Sequence, residues 1–232
     1  MSKASFSLKK ILVLVTILAV PGLLYYLLTE KGKNRYRPLS IYGPKQVSST
    51  FHVKRGKQIP DTLYHTIPDF KLKNQEGKTI IFKADSGIIT VVNFFFTRCP
   101  SFCPNMNKEL YRVVKIYEKN PLIRFLTISV DPEYDTPQIL SKYSSQYSVK
   151  HNKWNFLTGD KKEIYTLAQK YFLVDALVDT TQKNNVIHSP KLIMVDPKKR
   201  IRGYYDSDDT QQVDKLIDEI KLQITEELRK VK

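Results

Sequence analysis

Residues 87 to 96, GIITVVNFFF, form a nearly continuous apolar run, the pattern of a strand buried on both faces. Such a strand needs packed layers above and below it, and the flanking sequence supplies them. Before it, DFKLKNQEGKTIIF (69 to 82) alternates apolar and polar residues around Glu76-Gly77, which predicts an antiparallel hairpin. After it, Met106, Leu110, Val113, Val114 and Tyr117 recur at helical spacing. LIRFLTISV (122 to 130) and WNFLT (154 to 158) read as further strands. Between them Thr136-Pro137 opens a helix, and beyond them Asp160 with Glu163 makes a capping box for another. KLIMVD (191 to 196) and IRGYYD (201 to 206) predict a second hairpin, backed by a helix with Val213, Leu216, Ile217, Ile220 and Ile224 on one face. Strands alternating with helices, closed by a hairpin and a terminal helix, describe an α/β, thioredoxin-like sandwich, a central mixed sheet flanked by helices.

Residues 11 to 28, ILVLVTILAVPGLLYYLL, carry no charge, and a helix of that length rises about 27 Å, close to the hydrocarbon thickness of a bilayer. Lys3, Lys9 and Lys10 ahead of it would also suit a signal peptide, but no small-x-small cleavage site follows at Thr29-Glu30-Lys31. An uncleaved anchor is the expectation. Basic residues flank the span on both sides, so the positive-inside count does not orient it. A short tail before the span and a large domain after it favour a single-pass protein of the cell membrane with its domain on the extracytoplasmic side. The expected organisation is a tail (1–10), a transmembrane anchor (11–28), an extended tether (29–60) rich in Lys, Pro, Ser and Gly, and a folded domain (61–232). The net charge of +15 comes from short, scattered basic groups without interleaved aromatics. That argues against nucleic acid as a partner and suits a solvated surface near anionic lipid headgroups.

TRCPSFCPNM (97 to 106) holds the only two cysteines, Cys99 and Cys103, at the predicted turn from the central strand into a helix. A bridge across so short a loop stabilises little, so the pair reads as chemistry rather than a staple. The positive end of the helix favours the thiolate, the form that attacks disulfides and binds metals. In a redox reading Cys99 attacks and Cys103 resolves, although the spacing is one residue longer than Cys-x-x-Cys. A peroxidase is disfavoured because Phe96 stands where a peroxidatic Thr-x-x-Cys needs threonine. A metal reading needs a third ligand. His52 and His65 lie in or near the tether and His151 in a polar loop, all positions typical of surface residues. His188 precedes an apolar strand, where thioredoxin-like folds often place a cis-proline facing the cysteines. Pro190 takes that place, so a cis Ser189–Pro190 bond is expected, with His188 facing the dithiol. Two thiolates and an imidazole make a soft, low-coordinate set suited to copper, although three residues alone do not exclude zinc.

Three separated motifs, FFFTRCPSFCP, ISVDPEYDTP (128 to 137) and HSPKLIMVDP (188 to 197), occur in order. Over about residues 60 to 225 the chain resembles the Sco/SenC family, membrane-anchored copper-binding proteins that help assemble cytochrome c oxidase. The resemblance implies Cys99, Cys103 and His188 as copper ligands, and Asp131 and Asp135 as acidic positions near the site that orient ligands or adjust its charge. From the residues alone, Asp131 reads as a strand end and Asp135 at least equally as a cap of the following helix. Pro190 departs from the family pattern, in which His-Ser commonly continues without proline. The implied function is a copper metallochaperone serving the dinuclear copper site of cytochrome c oxidase subunit II, with an upstream copper donor and a thiol reductant as further partners. Two readings stay open beside it. One is a thiol-disulfide reductase that needs the cysteines but not His188. The other is a copper or redox sensor, for which no signalling module accompanies the domain.

Overall fold

A computed structural model describes residues 8–27, 38–54, 56–84, 87–148, 152–174 and 190–230. They fall into two units, divided between Arg37 and Pro38. The first contains α1 (Leu8–Tyr26), which has Pro21 within it and is long and apolar enough to cross a membrane.

The second unit is built on a seven-stranded sheet. In chain order its strands are β3 (Phe70–Asn74), β4 (Thr79–Phe82), β5 (Ile89–Phe95), β6 (Ile123–Ser129), β7 (Trp154–Thr158), β8 (Lys191–Val195) and β9 (Ile201–Asp206); β1 (Lys45–Lys54) and β2 (Lys57–Tyr64) stand apart from it. Their spatial order is β4-β3-β7-β6-β5-β8-β9. β5, β6 and β7 run parallel to their neighbours among themselves, while the outer pairs are antiparallel, so the sheet is mixed. Every residue of β5 is buried, as its apolar run requires. Val91 and Phe95 enter one core with α2 (Cys103–Tyr117), α3 (Pro137–Ser144) and α5 (Thr210–Lys230); Val92 and Phe94 enter the other with Phe70, Ile164 of α4 (Lys161–Thr166) and Phe172. The helix starts follow their predicted chemistry. Thr136 Oγ1 accepts from Ile139 N with Pro137 in the first turn, and the Asp160 carboxylate accepts from Glu163 N at 2.9 Å. Beyond α4 the chain loosens into a π-helical turn, Leu167–Tyr171, that periodicity alone does not reveal. Gly77 turns the β3–β4 hairpin at φ +76°, in the left-handed region that a side chain would strain.

The tether expected over 29–60 is corrected from residue 38 onward, and residues 29–37 lie outside the described residues. Residues 38–64 belong to the folded unit, and β1 (Lys45–Lys54) pairs with β2 (Lys57–Tyr64) as a separate two-stranded ribbon. Its strands are rich in Ser, Thr, Lys and Gln and turn no buried face to a core, so nothing in their pattern distinguishes them from a linker. The segment ahead of the ribbon is fastened to β9. Tyr42 N donates to Ile201 O, and the Arg202 guanidinium donates to the carbonyls of Leu39 and Ser40.

Arg202 is 2% exposed, and a buried guanidinium is tolerable only with its charge met. Asp196 lies 3.2 Å away and Glu226 2.8 Å, and Asp196 also holds Arg200 at 2.6 Å. Replacing Asp196 with Ala leaves the guanidinium short of a buried partner and is expected to cost about 3–5 kcal/mol in urea unfolding. Lys161→Ala removes only an exposed pair with Glu133 and is expected to cost less than about 1 kcal/mol in the same measurement.

Candidate functional site at the end of strand β5

β5 ends at Phe95, α2 begins at Cys103, and the intervening loop carries Cys99. Both cysteines are free thiols and both are buried, Cys99 at 6% exposure and Cys103 at 1%. Phe102 caps α2 with no side-chain hydrogen bond, and Pro104 occupies its first turn. One amide of that first turn, Cys103 N–H, reaches the Cys99 sulfur. Its pKa is held down at about 5, first by a hydrogen bond from the Cys103 thiol, then by the backbone N–H groups of Ser101 and Cys103 and by the Ser101 hydroxyl, whose oxygen lies 3.7 Å away. Cys103 is pushed the opposite way, because it gives its proton to that hydrogen bond and is the more deeply buried of the two. The pair is therefore one thiolate supported by one thiol. The cysteine favoured as thiolate is the one in the loop, not the one that opens the helix.

The acidic positions flank this loop in different ways. Asp135 is fully buried, and its carboxylate accepts from Thr97 N at 3.0 Å, from the Thr97 hydroxyl, and from the Ser129 hydroxyl at 2.5 Å. It thus ties the start of the cysteine loop to the end of β6. The cap of α3 is Thr136, so Asp135 is free for this role. Asp131, two residues beyond β6, pairs with Arg98 at 2.5 Å, and the Arg98 guanidinium lies 3.9 Å from the centre of the Tyr134 ring. Thr97, Arg98 and Ser129 were not singled out in the sequence. Their only signal there is position, immediately before Cys99 and at the end of a predicted strand.

Beneath the loop a buried polar chain crosses the core. Trp154 Nε1 donates to Thr127 Oγ1, Thr127 to Asn93 Oδ1, Asn93 Nδ2 to Asn107 Oδ1, and Asn107 Nδ2 to the Tyr143 hydroxyl. It joins β7, β6, β5, α2 and α3, and a fully satisfied network of this kind fixes the register of α2 against the sheet.

Of the histidines weighed in the sequence, His52 is exposed and bonds Asp61 at 2.7 Å, and His65 bonds the carbonyl of Tyr171 at 2.8 Å. His151, His188 and the Ser189–Pro190 bond lie outside the described residues. Among the described residues no third His, Cys, Asp or Glu gathers with the two cysteines into a group ready to hold a metal ion. The two sulfurs are nonetheless a soft, deprotonatable pair of the kind that copper selects.

The SCO1/SenC family model matches residues 60–225. The chain belongs to the SCO1/SenC family. A curated relative, the SCO1 protein homolog of Bacillus subtilis, is 31% identical over 169 residues, which cover 72% of this chain and 86% of the relative. The solved structure of BsSco, a member of the Sco family of cytochrome c oxidase assembly proteins in which a disulfide switch was identified, aligns with a TM-score of 0.60 at 29% identity, covering 69% of this chain and 94% of its own. Copper-bound ScoI of Bradyrhizobium japonicum aligns with a TM-score of 0.53 at 26% identity, covering 65% and 97%. The thioredoxin-like sandwich expected from the sequence is the fold these Sco relatives share.

Two outcomes follow for this SCO1/SenC chain. In the reduced, metal-free protein, ultraviolet thiolate absorbance is expected to rise by one thiolate per chain with a midpoint near pH 5, and a second thiolate is not expected below the ordinary thiol range. Two thiolates titrating together at the ordinary value would contradict the asymmetric pair. Asp135→Ala strands the Thr97 and Ser129 donors and is expected to lower unfolding free energy by about 1–3 kcal/mol and to move the Cys99 midpoint.

Proposed function

We propose that this chain is a membrane-anchored copper metallochaperone that delivers copper to the dinuclear copper site of cytochrome c oxidase subunit II. The observation that carries the reading is the buried pair of free thiols at the β5–α2 turn, with Cys99 favoured as thiolate, in a family whose solved relatives include copper-bound proteins. Cys99 is the sulfur ready to meet an incoming ion. Cys103 supplies the second once metal binding displaces its proton, and His188 the imidazole that completes a soft three-ligand set. Asp135 acts through Thr97, holding the cysteine loop in place, and Asp131 sets the charge beside Cys99 through Arg98.

Copper is cargo in this scheme, so it must leave as readily as it arrives. Client thiolates replace Cys99, Cys103 and His188 one at a time, and no electron changes hands in that exchange. An upstream donor loads the site and a thiol reductant keeps the pair reduced, since a disulfide offers no thiolate. α1 serves as the anchor, holding the domain at the extracytoplasmic face of the cell membrane.

Anaerobic copper titration of the reduced full-length protein tests the reading. One copper per chain is expected, with Cys99→Ser, Cys103→Ser and His188→Ala each weakening affinity by at least the factor of about 10–100 that loss of an outer-shell partner costs. A second reading, a thiol-disulfide reductase acting on client cysteines, is favoured by the same split between Cys99 and Cys103, which matches an attacking and a resolving thiol. If His188→Ala leaves copper affinity unchanged while the dithiol still reduces a client disulfide, the reductase replaces the chaperone.

A further inference from the structure

The β1–β2 ribbon has no share in either core, and an isolated two-stranded ribbon is marginal in water unless it packs on something. Its register shows what it offers. Val47 pairs with Thr62 and, past an irregularity in β1, Phe51 pairs with Pro60 and Val53 with Gln58. Thr62, Pro60 and Gln58 alternate along β2, so their partners share one face. On that face Val47 is 77% exposed, Phe51 60% and Val53 71%. Apolar side chains gathered in this way on a surface mark a contact that water does not satisfy.

The charge around this face indicates what the contact is. Residues 45–64 contain Lys45, Lys54, Arg55 and Lys57 against a single acid, Asp61. Asp61 is occupied within the ribbon by Thr50 and His52. Lys54 and Lys57 are register partners where β1 meets β2, and Arg55 lies between them in sequence. The ribbon also follows α1 closely in the chain, and the intervening residues 28–44 add Lys31, Lys33, Arg35 and Arg37 against only Glu30. A basic juxtamembrane stretch with apolar side chains among its charges fits an anionic bilayer surface, where phosphates meet the lysines and the apolar residues enter the headgroup boundary.

We infer that the β1–β2 ribbon is a lipid-docking element that lays Val47, Phe51 and Val53 into an anionic bilayer surface. It rests on the reading of the chain as membrane-associated but not on α1 inserting, because the ribbon carries its own apolar and basic groups. Docking would limit the orientations from which the cysteine loop can meet a client.

Phe51→Trp gives the test, since Phe51 is exposed and the one native tryptophan, Trp154, is buried in the core. The full-length variant is mixed with vesicles of phosphatidylcholine, with or without phosphatidylglycerol, and with or without brominated acyl chains. Bromine is expected to quench the new indole in the phosphatidylglycerol vesicles, and adding Lys54→Glu and Lys57→Glu, or raising the salt, is expected to remove about half or more of that quenching. Emission indifferent to bromine overturns the proposal, as does quenching that ignores both the charge reversals and the salt. Emission that shifts only when a soluble client protein is added also overturns it and identifies the ribbon as a protein-docking surface. Carbonate extraction of the same vesicles reads α1 alone, so failure of the anchor and failure of the ribbon are distinguishable.

Discussion

A carboxylate buried away from water has to be met by donors, and in this chain that requirement organises the cysteine loop. Asp135 sits after β6 and gathers Thr97 from beyond β5 and Ser129 from the end of β6. The two strands already run parallel, with Phe95 opposite Ser129, and Val130 N extends their ladder by donating to Phe95 O. Asp135 continues that pairing where backbone bonds run out. Two residues after Thr97 the chain reaches Cys99, whose sulfur accepts from the Cys103 amide that opens α2. The sheet, the buried acid and the helix start therefore converge on one sulfur atom.

Much of this architecture can be read from residue pattern. The unbroken apolar run of β5, the alternation on either side of Gly77 and the 3.6-residue spacing of Leu110, Val113 and Tyr117 each have one structural solution once a core must be filled. The ribbon at 45–64 resisted because it buries no face, and buried-face periodicity is what makes a strand visible. Asp135 resisted for another reason. An acid followed by Thr-Pro can cap a helix or turn inward, and only the three-dimensional placement of Thr97 and Ser129 separates the two. Here Thr136 caps and the acid is buried. The sequence reads Cys99 as the attacking sulfur, but not what sets that order of ionisation: the Cys103 proton bridges to Cys99, and the loop residue keeps the charge.

That order bears on how copper carriage and redox chemistry coexist at one dithiol. A site with one thiolate and one thiol has its first ligand ready and its second gated by a proton, so copper is captured in steps and can be released in steps. The same asymmetry sets Cys99 as the nucleophile should an oxidised client arrive. What separates the two roles is the third ligand, because disulfide exchange has no use for His188 whereas a copper carrier does.

Copper-edge X-ray absorption of the loaded full-length protein tests that distinction most directly. The account predicts sulfur scattering from two thiolates together with the outer-shell pattern of one imidazole, and loss of the imidazole pattern alone in His188→Ala. A spectrum with sulfur only, unchanged by that substitution, would contradict it.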